Sequence, residues 1–419
     1  MIYKYELENG ANVFLAPQEG TNSVTTLVMY PVGSRFEPEK LQGVSHYIEH
    51  LMFKGTKKRK NTLTLTREID RLGAEYNAFT GKEYTGYYIK ADTKFSDISF
   101  DILSDMLLNS VFDPKEMERE KGPIVEELRM YKDNPIMDID NVFEDLLYAG
   151  CPLGRDIGGT EKHVMSFKRD ETLAFRDKFY SPSNMNIIIA GNITDDTEVL
   201  LNKYFGHAHG MKKPNVKPKP FCFGSAKKSE RLAVHHKDTS QLQMMLGFPA
   251  FEYGHKNNYA LKVLNTILGG SMSSRLFIKI RERMGLAYTV RSGLDTFVDT
   301  GYSYVRAGLE AKNLNKALKA IAGEIEKMKI KGVSAQELKD AKTHIRGGLT
   351  LSMEDSSTLA NWYARQMLFA DEILTPEEYL DRIDKVTPKQ VLDVAKKVFK
   401  EDQMRLAIIG DVKKEDVMF

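Results

Sequence analysis

Apolar and polar residues alternate along "MIYKYELENGANVFLA" (1–16), and the alternation turns at Asn9-Gly10. A period of two with an Asn-Gly break predicts strand, turn, strand. The same period runs through "YTGYYIKA" (84–91) and "GYSYVRAGL" (301–309), the pattern of half-buried sheet strands. A different period governs "PKEMEREKGPIVEELRMYKD" (114–133). At about 100° per residue, Ile124, Leu128 and Tyr131 form one apolar stripe, which predicts a helix. Pro123 lies inside that helix beside Gly122. It removes a backbone donor, so the helix is expected to bend or break there.

The pattern of the first half returns in the second. "SVTTLVMYPVGS" (23–34) is matched by "SQLQMMLGFPAF" (240–251), and "FYSPSNMNIIIAGNI" (179–193) by "FKEDQMRLAIIGDV" (399–412). "DPKEMEREKGPIVEELRMYKDN" (113–134) overlays "SAQELKDAKTHIRGGLTLSMED" (334–355) without a gap. An offset near 220 residues throughout implies two domains of one fold. Between them "GHAHGMKKPNVKPKPFCFGSAKKS" (206–229) is rich in Lys, Pro and Gly and has no period, the composition of a linker. The expected division is a domain over 1–210, a linker over 211–228 and a homologous domain over 229–419. The expected fold class is α+β: in each domain, a mostly antiparallel sheet with helices packed on one face.

Composition narrows the class. A chain of 419 residues exceeds one core, and 42% hydrophobic with 28% charged residues describes a soluble globular protein. Sixty basic against 58 acidic residues leave a net charge of +2, which gives no reason to expect nucleic acid or an anionic membrane as a partner. The basic run Lys57, Lys58, Arg59, Lys60 reads as a solvated loop. No apolar run approaches the roughly 18 residues of a membrane span. Cys151 and Cys222 stand in unrelated contexts and make neither a metal pair nor a disulfide framework. The strand pattern at residue 1 leaves no room for a targeting peptide, so a cytoplasmic location is expected.

The candidate chemistry sits in "GVSHYIEHLMFKGT" (43–56). On a helix, His46 and His50 share one face, with Glu49 beside them. Two neutral imidazoles suit Zn²⁺, and a third protein ligand would leave one position for water. Zinc lowers the pKa of such a water to about 7, and a neighbouring carboxylate can then take its proton. Glu49 is placed for that role. The alternative is a chance spacing on an ordinary helix.

The helix at 114–133 offers the third ligand. Glu127 and Glu120 flank its apolar stripe two turns apart, whereas Glu126 points toward water. A carboxylate at the border of a buried face needs a partner, so Glu127 is chosen as ligand, with Glu120 as a second carboxylate nearby. An ordinary charged helix with a partly buried glutamate fits the same pattern. In the gapless overlay, Glu127 falls on Gly348 and Glu120 on Ala341, and "ALKVLNTILGG" (260–270), which answers to the His46–His50 helix, holds neither His nor acid. The second half has the scaffold without the chemistry. The other histidines, His163, His207, His209, His235, His236, His255 and His344, are not expected to bind metal.

His46-Tyr47-Ile48-Glu49-His50 followed by Glu127 resembles the inverted zinc motif of the pitrilysin and insulysin metallopeptidases. "HLMFKGTKKR", "GAEYNAFTGKEYTGYYIKA", "EREKGPIVEELRMYKDNP", "CPLGRDIGG" and "LGGSMSSRLFIKIRERMGLAYTVRSG" extend the likeness over nearly the whole chain. They are most similar to the mitochondrial processing peptidase β subunit and its bacterial relatives. The resemblance implies one zinc per chain on His46, His50 and Glu127, with Glu49 as general base and Glu120 supporting the site. It places Asn77 and Ala78 on an edge strand where an extended peptide substrate adds as a further strand. It matches Arg281 and Tyr288 to an Arg-x6-Tyr pair that reaches the substrate, the tyrosine hydroxyl donating to the developing oxyanion. Without the resemblance, "NAFT" reads as an ordinary strand start, Arg281 as a surface charge and Tyr288 as a strand residue.

Relatives of twice this length enclose a chamber with four such domains. A chain with two domains is therefore expected to act as a homodimer, Arg281 and Tyr288 of one protomer facing the zinc of the other. The implied function is a zinc endopeptidase for short or unfolded peptides. The alternative is a non-catalytic subunit that binds peptides or builds an assembly. A purely structural zinc site is disfavoured, because such sites are closed by four protein ligands.

Overall fold

A computed structural model describes residues 2–207, 214, 216–218, 220, 221, 223, 227 and 230–418. The expected linker lies largely outside the described residues, as do His209 and Cys222. Strands β1 (Tyr3–Glu6), β2 (Asn12–Pro17), β3 (Ser23–Tyr30), β4 (Glu75–Thr80), β5 (Thr85–Asp92) and β6 (Asn186–Gly191) form one sheet in the order β1-β2-β6-β3-β5-β4. Strands β7 (Leu232–His236), β8 (Leu242–Ala250), β9 (Ala287–Thr296), β10 (Gly301–Leu309) and β11 (Arg405–Gly410) form another in the order β7-β11-β8-β10-β9. Apart from β1, the two sheets have one plan. Each is antiparallel except for a single parallel pair, β2 with β6 and β7 with β11. The Asn9-Gly10 turn joins β1 to β2, with Gly10 at a φ of 88°.

The first half supplies helices α1 (Val44–Leu51), α2 (Thr62–Asp70), α3 (Ser96–Asn109), α4 (Pro114–Asp133), α5 (Pro135–Leu147), α6 (Glu161–Ser166), α7 (Arg169–Phe179) and α8 (Thr197–Phe205). The second supplies α9 (Asn258–Gly269), α10 (Leu314–Lys331), α11 (Ala335–Ser352), α12 (Ser356–Phe369), α13 (Pro376–Asp384) and α14 (Pro388–Val398), with a π-helical turn at Phe277–Arg283. None of the described helices is long and apolar enough to cross a membrane.

The chain divides into two compact units, and each takes one segment from the opposite half. The first is Met1–Arg129, Arg155–Pro218 and Ser352–Ile373; the second is Met130–Gly154, Lys219–Leu351 and Leu374–Phe419. In the first unit, Val24, Val28, Ile187 and Ile189 face Ile48 of α1 and Phe100 and Leu103 of α3. Their neighbours Leu27, Met29, Ile188 and Ala190 point the other way, against Leu359, Ala360 and Tyr363 of α12. The second unit repeats this. Met244, Leu246 and Ile408 face the helices of their own half, while Met245, Ala407 and Ile409 meet Ile139, Val142 and Phe143 of α5. A strand buried on both faces reads as a continuous apolar run, as "IIIAG" does. The α+β plan with a half's own helices on one face is thus present. The opposite face carries α12 or α5, which strand periodicity does not reveal.

Two expectations are corrected. Helix α4 does not break at Pro123. Gly122, Pro123 and Arg119 all lie on its exposed side, so the carbonyl deprived of its donor is open to water, while Met117, Ile124 and Leu128 hold the other side in the core. The basic run at 57–60 is not wholly solvated. Lys57, Lys58 and Lys60 are exposed, but Arg59 is fully buried and shared among Glu68 at 2.8 Å, Asp101 at 2.7 Å and Asp105 at 3.0 Å.

Candidate metal centre

Helix α1 is short and buries Val44, Tyr47, Ile48 and Leu51. That stripe leaves His46, Glu49 and His50 on the half-buried face. The Tyr47 hydroxyl donates to the Met117 carbonyl at 2.6 Å and ties α1 to α4. His46 Nε2 lies 3.7 Å and His50 Nε2 3.4 Å from one oxygen, Oε2 of Glu127. The two rings meet edge to face with centroids 4.7 Å apart. Ligand atoms about 2.0–2.1 Å from a tetrahedral ion lie about 3.4 Å from one another. Two of the three separations are close to that value, and all three donors lie within 4.8 Å of one another, so they could hold a metal ion. Among the described residues, no other group of three His, Cys, Asp or Glu side chains converges in this way.

The two imidazoles of the site differ in charge. Burial, then the charge of His50, pushes His46 down to about 4, so its imidazole is neutral. Burial also opposes charge on His50, but its bonds to Glu120 and Glu127 outweigh this and raise it to about 9. The hydrogen bond to His50 holds Glu127 below the usual carboxylate range. Two carboxylates around two imidazoles form a site with an excess of negative charge once both rings are neutral.

Glu120 is buried behind His50. Its Oε1 lies 2.9 Å from His50 Nδ1, and its Oε2 takes Lys54 Nζ at 2.5 Å. Burial would raise its pKa, but the bonds to His50 and Lys54 keep it lowered. A carboxylate on Nδ1 fixes the tautomer that leaves Nε2 free for a metal. Glu120 is therefore placed to orient the His50 ring from behind. Glu126 points to solvent and pairs with Arg129 at 2.8 Å. Glu49 accepts the Thr80 hydroxyl at 2.5 Å, and burial raises its pKa against that bond.

Asn77 and Ala78 lie on β4, which pairs with β5 alone and is a free edge. The register, with Gly81 N–H bonded to the Tyr84 carbonyl, turns the N–H of Ala78 outward from the sheet. Asn77 Oδ1 accepts that N–H at 2.9 Å. Arg281 and Tyr288 belong to the second unit and sit together. The Arg281 guanidinium stacks 4.7 Å from the Phe277 ring and 5.2 Å from that of Tyr288, which is 70% exposed on the edge strand β9.

Sequence reasoning missed Thr80 and Lys54. Lys54 follows His50 by four residues, a spacing that could have flagged it; Thr80 comes from a strand 31 residues away and left no signal.

Comparison with known proteins agrees with the division of chemistry between the halves. Residues 12–161 match the profile described as Insulinase (Peptidase family M16), and residues 166–345 match the Peptidase M16 inactive domain. The chain is 34% identical over 414 residues to an uncharacterized zinc protease of Bacillus subtilis (strain 168), covering 98% of each. It is 32% identical over 415 residues to one of Streptomyces coelicolor, covering 98% of this chain and 90% of that one. The structure of a protease from Helicobacter pylori matches with a TM-score of 0.88 and 24% identity over 98% of this chain and 99% of that one. A peptidase M16 inactive domain from Pseudomonas fluorescens matches with a TM-score of 0.90 and 18% identity over 98% of each. These two structures are alike in fold.

Proposed function

Because the chain belongs to the insulinase family of peptidases, family M16, we propose that it is a zinc-dependent endopeptidase acting on short or unfolded peptides. The convergence of His46 Nε2 and His50 Nε2 on Glu127 Oε2, with Glu120 behind His50, carries this reading. His46, His50 and Glu127 would hold one zinc per chain. When bound, zinc supplies a Lewis acid that polarises the scissile carbonyl and lowers the pKa of a water to about 7.

Glu49 takes the proton of the attacking water and hands it to the leaving amine. Its burial brings its proton affinity nearer that of the water. Thr80 holds one of its oxygens and leaves the other to act. The peptide adds to the free edge of β4, where the Ala78 N–H receives a substrate carbonyl once Asn77 Oδ1 releases it. Tyr288 donates to the oxyanion and Arg281 holds the peptide, both from a second protomer across a homodimer chamber. Selection is then by the size and flexibility of the peptide. The protein works in the cytoplasm.

A second reading, a non-catalytic subunit, draws on the likeness to a chain described as an inactive domain. The three converging donors and Glu49 weigh against it. The experiment is cleavage of a quenched fluorescent peptide library by wild type and Glu49→Gln, with bound zinc measured in both. Cleavage by wild type only, with zinc in both, is expected. Zinc in both and cleavage by neither would favour the subunit reading.

A further inference from the structure

The N-terminus of α1 is held by a side chain from outside the helix. Its own cap, Gly43, has no side chain to offer and sits at a φ of 90°. The carboxylate of Glu37 accepts the Gly43 N–H on Oε2 at 2.7 Å and the Ser45 N–H on Oε1 at 2.8 Å. The first turn of a helix leaves its amide donors without partners and carries partial positive charge. A carboxylate satisfies two of those donors with charge-assisted bonds. Ser45 is the residue before His46.

Glu37 is 4% exposed. Burying a carboxylate is costly, and burial pushes its carboxyl up to about 7 against the bonds from Ser45 and Gly43. Asn61 caps α2, Thr160 caps α6 and the half-buried Asp355 caps α12, each from the helix's own cap position, whereas Glu37 is buried and reaches α1 from outside it. When Ser23 is aligned with Ser240, Glu37 falls on Gly254, and at the matching helix α9 the neighbouring His255 Nδ1 accepts the N–H of the cap Asn257 at 3.0 Å, with no carboxylate there.

The segment that presents Glu37 is fixed to the strand pair that carries Thr80. Arg35 N–H bonds the Lys82 carbonyl at 2.8 Å, and Ser34 N–H the Gly81 carbonyl at 3.2 Å. The Arg35 guanidinium pairs with buried Glu83 at 2.5 Å. Arg155 Nη1 donates to the Glu37 carbonyl at 3.2 Å. On the far side of the cap, a Cβ on Gly43 would meet the Gly158 carbonyl oxygen at 2.2 Å, so the turn has no slack. Glu37 thus couples the β4–β5 turn to the start of α1.

We propose that Glu37 is a positioning residue of the metal centre: its carboxylate fixes α1 along its axis, and with it His46, Glu49 and His50 against Glu127. This rests on the zinc reading given above. The test compares wild type with Glu37→Gln, an isostere able to accept only one of the two N–H bonds. Zinc affinity is read by competition with a chelator of known affinity, and ligand geometry from the visible absorption bands of the Co²⁺-substituted protein. Glu37→Gln is expected to keep the wild-type circular dichroism, to bind zinc about tenfold more weakly and to shift the cobalt bands. Where wild type cleaves a peptide, kcat falls and KM holds.

A folded variant with wild-type zinc affinity and cobalt spectrum overturns the proposal. If Glu37→Gln does not fold, Glu37→Asp replaces it, since it keeps the charge on a shorter reach. Altered cobalt bands in folded Glu37→Asp support the proposal; unaltered bands, or failure of both variants to fold, assign Glu37 to the fold alone. Wild type that binds zinc but cuts nothing sinks the peptidase reading, while the zinc and cobalt measurements still decide on Glu37. Wild type without zinc sinks both.

Discussion

Lys54, Glu120 and His50 each fix the next, and the last is a proposed metal ligand. Removing the middle member should weaken zinc binding without touching a donor atom. Glu120→Ala is expected to lower zinc affinity 10- to 100-fold, the usual range for such outer partners, in a chelator competition; an unchanged affinity would remove Glu120 from the centre. A second residue-scale prediction concerns pH. Glu37 titrates at about 7 in the folded chain against an ordinary 4.5, so the folded state holds the proton more tightly. Its contribution is complete below pH 4.5 and lost as pH rises through 7. The melting temperature of wild type, measured against Glu37→Gln, should therefore fall between pH 5 and pH 8. At this scale, His46 and His50 were legible because helical spacing brings them to one face of α1, and Glu127 because it borders the apolar stripe of α4. Glu37, Thr80 and Arg59 were not, because their partners lie on other elements and no local pattern marks them.

At the scale of the element, periodicity located the strands and α4, and it failed where a residue's cost depends on which way it faces. Pro123 was expected to bend or break α4, yet the helix runs on through it with the orphaned carbonyl on its exposed side. The neighbouring Gly122 gives a direct check. It is exposed, helical, and has nothing within 4 Å of the Cβ it lacks. Gly122→Ala should stabilise the protein by about 0.5–1 kcal/mol, seen as a higher melting temperature with zinc binding unchanged. A lower melting temperature would mean that the helix needs the glycine to pass Pro123. The free edges are the opposite case. β4 and β9 hold the same place in their sheets, and only the residues on them distinguish a strand beside the proposed zinc ligands from one that carries Tyr288.

At the scale of the whole molecule, the repeat was legible and the exchange of helices was not. Helices α5 and α12 stand at matching points, each the next helix after α4 or α11 at the offset that aligns Asp113 with Ser334. Their apolar residues announce burial and do not say against which sheet. The exchange makes a plain prediction. Residues 1–218 expressed alone lack α12, so Phe14, Leu27, Met29 and Ile188 stay bare on one face of the sheet. That fragment should aggregate, and co-expression with residues 219–419 should restore a soluble one-to-one pair. A stable, monomeric 1–218 would show that the face is covered some other way.

The same exchange governs how the protein is made. Translation proceeds at roughly 5–20 residues per second, so α12 follows β6 from the ribosome on the order of ten to thirty seconds later. Throughout that interval the first sheet has all its strands and every proposed zinc ligand, yet one broad apolar face awaits a helix not yet synthesised. Until α12 emerges, the newborn chain exposes the kind of apolar surface that aggregates or is held by chaperones.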